Sequence, residues 1–373
     1  MKRKGDKELS NNLGSYMEDD VIFLLKDISE KVVEKSNIER ERAIQSGTHY
    51  SEMLPIEYSP SEKYLEIFHS SLKQFSTKLA IAVALTAEKI LKIKGENTVI
   101  VSLARAGTPA GVLIKRYVKY KYSLNLNHYS ISIIRGKGID ENAVKYILKK
   151  HPNSCIQFVD GWTGKGAITK ELTEAVCEFK TKYGEYANLH SDLAVLADPG
   201  HTVKIYGTRE DFLIPNACLN STISGLLSRT VHRMDIINKN DFHGVKYYKE
   251  LEKEDLSNYY IDIIEKEFSN FDIERNVIEK FDFDKEVVDW EGMKDIKNIE
   301  RDFDIESIHF IKPGIGETTR VLLRRIPWKI LVAKNAKNID HVLQLAKEKG
   351  IPVEEYPLNA YYCCGIVKSL KGE

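Results

Sequence analysis

Cys155-Ile-Gln-Phe-Val-Asp160-Gly-Trp-Thr-Gly-Lys-Gly-Ala-Ile-Thr169-Lys-Glu-Leu172 is the stretch on which the fold turns. Its apolar run, residues 156–159, ends in an acid. Gly161, Gly164 and Gly166 then mark a loop that also holds Thr163 and Lys165, and a helical pattern begins at Ala167. That order predicts a strand, a tight turn and a helix N-terminus, with a carboxylate on one rim and a lysine on the other. Free N–H groups at a helix start favour an anion by roughly 0.3–1 kcal/mol per well-placed charge, and glycine lets the backbone come close enough to use them. The loop reads as a phosphate cradle; the plainer alternative is an ordinary strand–turn–helix connection. A Walker A loop is excluded, because Gly161 and Gly164 are too close and Gly166 follows the lysine where Ser or Thr is needed.

Working outward, similar units recur. Thr98-Val-Ile-Val-Ser102 reads as a buried strand, followed by Leu-Ala-Arg105-Ala-Gly107-Thr-Pro109 and a helix. His128-Tyr-Ser-Ile-Ser-Ile-Ile134 alternates as a strand does and ends in a basic glycine loop, Arg135-Gly-Lys137-Gly-Ile-Asp140, with a helix after it. Leu193-Ala-Val-Leu-Ala197 is a further strand. Strands alternating with helices predict an α/β fold, a parallel sheet with helices on both faces, whose ligands sit at the carboxyl ends of the strands. The loops at 102–109, 135–140 and 160–166 all fall there.

Upstream, residues 1–20 are polar and residues 21–25 start a short helix. Residues 45–55 are rich in hydrogen-bonding groups and either reach into a site or wrap the surface. Ser59-Pro60-Ser61-Glu62 has the make-up of a helix start, with Ser at the cap and Pro at the first helical position. The helix runs to about Lys94 with a break near Ser70; Leu72, Phe75, Leu79, Val83, Ala87 and Ile90 share one face. Downstream, residues 198–233 hold Asp198, Arg209, Asn220, Ser224 and Arg229 among small polar residues. They form either a hood over an acceptor or a structural loop, and His243 adds a polar group to the same surface.

The composition bounds these readings. A chain of 373 residues with net charge zero and 42% hydrophobic residues is globular and long enough for two domains. No apolar run approaches the roughly 18–20 residues that span a bilayer, and the basic opening Met1-Lys-Arg-Lys-Gly leads into no signal core. Five cysteines, at 155, 177, 218, 363 and 364, lack disulfide-framework or CxxC spacing. Reduced thiols in a cytoplasm are the expectation.

The central loop resembles the PRPP-binding loop of type I phosphoribosyltransferases, shortened by about two residues, with the paired acids of that family replaced by Asp160-Gly161. The resemblance implies a type I phosphoribosyltransferase-like sheet over 45–250, after an N-terminal helical extension (1–44). It implies that Asp160 orients a ribose and that Thr163, Gly164, Lys165, Gly166 and Thr169 hold a 5′-phosphate. Ala106 and Gly107 would lie in a pyrophosphate loop. Arg105, Arg135 and Lys137 would stabilise a diphosphate bridged by Mg²⁺, since such chemistry rests on electrostatic stabilisation. Asp198, Arg209, Asn220, Ser224 and Arg229 would then lie on the acceptor side. The expected function is Mg²⁺-dependent phosphoribosyl transfer from PRPP or a related compound to an unknown acceptor. A non-catalytic sensor of such a ligand or of RNA is the alternative.

Residues 246–306 carry 20 acids against 10 bases, which predicts an acidic helical linker (251–304) docked by its aromatics. Residues 305–373 change character: strand 307–312, then Pro313-Gly-Ile-Gly-Glu317-Thr-Thr-Arg320, strand 329–332, helix 339–349, a small αβα sandwich. The loop at 314–320 resembles the Gly-x-Asn-Glu-x-Thr-Lys helix start of Pelota-like RNA-binding proteins, with Gly316 where that family has asparagine. Gly314, Gly316, Glu317, Thr319 and Arg320 would meet RNA, and Arg324 and Arg325 its phosphates. A basic face packed on the acidic linker is the alternative.

Across residues 45 to the end the motifs together resemble a bacterial family with two labels. One is cysteine protease StiP. The other is a phosphoribosyltransferase-like protein of tellurite-resistance-associated gene modules with a C-terminal Pelota-type domain. A thiol protease needs a thiolate beside a base; Cys218 with His243 is the candidate pair, because Cys155 begins a buried strand.

Overall fold

The computed structural model describes residues 13–186 and 188–367; the polar opening, residues 1–12, lies outside them. In chain order the main body comprises β1 (Ile22–Phe23), β2 (Lys26–Asp27), β3 (Glu34–Lys35), α1 (Asn37–Gln45), β4 (Leu54–Pro55), α2 (Glu62–Lys94), β5 (Thr98–Ala104) and α3 (Thr108–Tyr122). It continues through β6 (Asn127–Ile134), β7 (Gly138–Ile139), α4 (Glu141–Lys150), β8 (Cys155–Trp162), α5 (Ala167–Lys182), β9 (Leu193–Ala197), β10 (Ile205–Thr208), β11 (Gly244–Val245), α6 (Ser257–Lys266) and α7 (Arg275–Lys280).

The central sheet has the order β1-β6-β5-β8-β9-β10, parallel throughout, with β7 folded back on β6. The chain winds one way from β5 to β6 and the other way from β8 to β10. The direction therefore reverses between β5 and β8, which opens a crevice at their carboxyl ends. Buried side chains of the strands alternate between two cores. Ile100, Val159, Ala194 and Leu196 pack with α2 and α3, while Val101, Phe158, Leu193 and Val195 pack with α4 and α5. This two-sided covering explains why β5 and β8 are apolar almost without interruption. The same doubly wound order serves many activities, so it fixes a mixed α/β body with a parallel sheet and no reaction.

Three local expectations need correction. Residues 21–25 start no helix: Ile22 and Phe23 pair in parallel with Tyr129 and Ser130, and a short run without a polar face suits an edge of the sheet better than a helix. The long helix α2 does not break at Ser70, because the hydroxyls of Ser70 and Ser71 turn back onto the carbonyls of Ile67 and Phe68 (3.1 and 2.9 Å) and leave no polar group to interrupt it. Its first residue is Glu62 and its cap Ser61, so Pro60 precedes the helix instead of opening it.

The C-terminal region contains α8 (Glu291–Asp302), β12 (Ile311–Pro313), α9 (Ile315–Arg324), β13 (Pro327–Val332), α10 (Asp340–Glu348), β14 (Val353–Glu355) and β15 (Cys363–Val367). Its sheet runs β12-β15-β13-β14. One face packs against α8 through Ile296, Ile299, Leu331 and Ile366; Ile315, Leu322 and Val342 pack on the other, continuous with the core of the main body. The expected strand at 307–312 is a turn of 3-10 helix at Ile308–Phe310 followed by β12, because Ser307 Oγ accepts the His309 N–H. Among the described residues no helix is long and apolar enough to cross a membrane.

Candidate functional site

At the carboxyl ends of the sheet, the loops after β5 and β6 and the end of β8 carry several of the charged residues singled out in the sequence. Gly107 lets the loop after β5 run against β8; a Cβ there would lie 2.6 Å from the Val159 carbonyl oxygen. Asp160, on the rim of β8, is half-buried and accepts from the N–H of Gly161 (2.8 Å). Burial pushes its carboxyl up to about 7, because a charge with little hydrogen bonding is costly in a dry site. Arg105 donates to the Leu227 carbonyl (2.6 Å) and lies 3.9 Å from Glu57, while Ala106 is exposed beside it. Arg135 is exposed, its guanidinium over the Tyr50 ring at 5.7 Å. Lys137 pairs with Glu52 at 3.0 Å, and Glu171 of α5 accepts the N–H groups of Gly136 and Gly138 (both 2.8 Å).

The rest of the 160–169 loop faces the C-terminal domain. Lys165 donates to the carbonyls of Ile308 and Ile311 (2.5 and 3.0 Å), and its burial draws its pKa down to about 8. Tyr361 donates to the Gly164 carbonyl (3.1 Å), and Trp290 covers Gly166, where a Cβ would come within 2.2 Å of the ring. Thr163 donates to Asp198, which also accepts from Thr202 N, Val203 N and the Arg209 guanidinium. Thr169 shares a hydrogen bond with Thr202 (3.2 Å). Of the residues expected on an acceptor side, Asp198 and Arg209 thus bind each other. Arg229 donates to the carbonyls of Tyr50 and Met53 (2.8 and 2.7 Å), Ser224 to that of Asn220 (2.7 Å), and Asn220 accepts from Arg324.

The helix start expected to meet RNA is covered by the main body. The N–H of Ile315 donates to the Asp211 carboxylate (3.0 Å), a Cβ on Gly314 would lie 3.2 Å from Asp211, and one on Gly316 would touch Ala217. Thr319 is buried between the Ile315 carbonyl and His341 (2.7 and 2.9 Å). Arg324 also donates to the Cys218 carbonyl (2.6 Å). Glu317 and Arg320 are half-exposed and 4.0 Å apart; Arg325 is exposed.

The Cys218–His243 pair is not formed. Cys218 is buried in the core with α2, and burial pushes its thiol up to about 12, the reverse of what a nucleophile needs. His243 instead shares a hydrogen bond with Ser132 (2.8 Å) and stacks on His232 at 4.5 Å. Cys363 and Cys364 are buried in β15, and Cys155 and Cys177 are exposed. Cys177, on α5, lines a cavity of about 540 Å³ together with His190, Ser191 and Asp192, and Asp192 is held by Lys94 at 2.8 Å. No motif signals this cluster, since Cys177 and His190 lie on a helix and a loop with no patterned spacing between them. Among the described residues no group of three or more His, Cys, Asp or Glu is placed to hold a metal ion.

The molecule is therefore an α/β protein with a doubly wound parallel sheet, free thiols and an attached small αβα sandwich. Comparison with known proteins makes this specific. Residues 14–265 match the family described as tellurite-like stress resistance cysteine protease StiP, and residues 290–369 match the PELOTA RNA binding domain. Over 347 residues the chain is 32% identical to the cysteine protease StiP of Acinetobacter baylyi, covering 90% of this chain and 88% of that protein. The chain belongs to the StiP family. An aminotransferase from Anaerococcus prevotii, 10% identical over 75% of this chain and 70% of its own, aligns with a TM-score of 0.22, too low to bear on the fold. Phosphoribosyl transfer is overturned as the function, because both the family and the relative carry the name of a cysteine protease. PRPP and magnesium, which entered with that chemistry, go with it.

Proposed function

We propose that this chain is a cysteine-type hydrolase joined to an RNA-binding domain. Its nucleophile is Cys177 and its base His190, with Asp192, paired to Lys94, lining the same cavity. The observation that carries this assignment is the shared cavity, where an exposed thiol, an imidazole and a carboxylate line one surface large enough for a peptide side chain. The name of the Acinetobacter baylyi relative supports the reaction class. In such a site the imidazole takes the thiol proton and the thiolate attacks a carbonyl carbon, whose π electrons move to oxygen. As the C–N bond breaks, the imidazolium gives its proton to the leaving amine and a thioester remains. Water, deprotonated by the imidazole, then attacks the thioester carbon, releasing the acid and returning the thiol.

The test is hydrolysis of a fluorogenic peptide library by the full chain. Cys177→Ala is expected to lower kcat/KM by about a thousandfold or more, as loss of a nucleophile does, while Cys155→Ala stays within twofold (on the order of 0.4 kcal/mol). Activity that survives Cys177→Ala removes the assignment.

A further inference from the structure

We infer that an RNA strand crosses the junction between the two domains, its phosphates held by Arg135 of the main body and by Lys312, Arg320 and Arg325 of the C-terminal domain. The inference rests on the RNA-binding character of the PELOTA domain and changes where that binding takes place. The start of α9 is closed by Asp211 and Ala217, and Arg324 is committed to Cys218 and Asn220. The bases left over point elsewhere. Arg325 is exposed, Arg320 and Lys312 are half-exposed, and across the junction stands exposed Arg135. Lys165, bonded to the Ile308 and Ile311 carbonyls, pins the two sides together beneath them.

These cations are close enough to repel one another. Burial lowers the pKa of Lys312 most, and the charges of Arg325, Arg135 and Arg320 lower it further; burial likewise lowers His309 most, with Lys165, Arg135 and Lys312 adding to it. Glu317 is the acid that opposes them at Lys312. Among the described residues no carboxylate lies within 4.0 Å of Arg135, Lys312 or Arg325. A group of like charges drawn from two domains, with little internal neutralisation, fits a polyanion whose phosphates replace the missing acids. The contacts are to backbone phosphates, so binding is salt-sensitive and largely indifferent to sequence.

The experiment is fluorescence anisotropy of a labelled single-stranded oligouridine with the full chain, titrated with KCl. Wild type is expected to bind at low salt. Arg135→Ala, Lys312→Ala and Arg325→Ala are each expected to weaken binding severalfold and to lower the log–log salt slope by about 0.7, the loss of one phosphate contact on a single strand. Arg135→Lys restores most of the affinity, and Lys149→Ala, on an exposed position of α4, changes nothing. Binding in which Arg135→Ala matches wild type while Arg325→Ala does not confines RNA to the C-terminal domain and overturns the junction. Full displacement by equimolar inorganic phosphate shows a small-anion site and also overturns it. No binding by wild type at low salt removes RNA itself, a failure distinct from the first.

Discussion

The two ends of the parallel sheet are made by the same strands and hold opposite chemistry. At the carboxyl ends, the loops after β5 and β6 and the end of β8 carry Arg105, Arg135, Lys137 and Asp160 and, among the described residues, no exposed thiol. Toward the amino ends, Cys155 opens β8, Cys177 lies past the middle of α5 and His190 precedes β9. Doubly wound folds place ligands at the carboxyl ends. A cysteine hydrolase in this chain therefore either departs from that rule or needs a thiol that the fold keeps buried. Charge marks one end and thiol access the other, and they need not serve the same ligand.

The most forceful way to break this contrast is to remove the base at the amino end. His190→Ala is expected to lower kcat/KM for peptide hydrolysis by about 10²–10⁴-fold, the usual worth of a general base. Rates measured from pH 5 to 9 check it, together with native alkylation. Iodoacetamide is expected to modify Cys155 and Cys177 in the folded protein, and Cys218, Cys363 and Cys364 after unfolding. A His190→Ala variant with full activity moves the chemistry away from this cavity.

The carboxyl end makes a different prediction, about stability. Asp160 has an ordinary value of 3.8 and burial lifts it to about 7. The folded state thus holds a proton that the unfolded chain has lost between about pH 4 and 7, so this group's contribution to stability falls as pH rises through that window and levels off above it. At full value the shift corresponds to about 4 kcal/mol, an upper bound for a buried carboxyl. Asp160→Asn keeps an oxygen for the Gly161 N–H and removes the charge. It is expected to raise stability at pH 8 by about 2–4 kcal/mol and to change little at pH 4, read from urea denaturation beside wild type. Asp140 and Asp211 are also lifted, to about 6, so the difference between the two proteins, and not the wild-type curve, isolates Asp160. A variant less stable at pH 8 shows that the Asp160 charge is compensated after all.

How much of this was legible in sequence follows from what periodicity encodes. Strands β5, β8 and β9 announce themselves by nearly unbroken apolar runs, as burial on both faces requires, and β6 by its alternation, while glycine loops mark the carboxyl ends of β5, β6 and β8. β15 was hidden because Cys363-Cys364 reads as a pair of thiols, although their small apolar bulk is what fills the centre of that sheet. Lys165 looked like a phosphate ligand from its neighbours in sequence; its partners Ile308 and Ile311 lie more than a hundred residues away, and no local pattern carries such a contact. Cys177 reaches the cavity from α5 and His190 and Asp192 from the loop before β9, and no patterned spacing joins the helix to the loop. Residue type alone pairs Cys218 with His243, whereas the fold buries the thiol in the core and gives the imidazole to Ser132.

Cys218 gives the smallest effect and the most discriminating one. With its thiol near 12, about one molecule in 10⁵ carries the thiolate at pH 7, and no imidazole is among the groups acting on it. Cys218→Ala therefore removes a sulfur from the core and nothing from the chemistry. The expected cost is about 1 kcal/mol, a small core truncation, seen as a lower urea midpoint with kcat/KM unchanged. Arg324 bonds the Cys218 backbone carbonyl and not its sulfur, so the contact between the domains survives the substitution. A folded Cys218→Ala protein that has lost hydrolysis would reverse the contrast between the two ends, because the nucleophile would then be a thiol exposed only when the C-terminal domain lifts from the core.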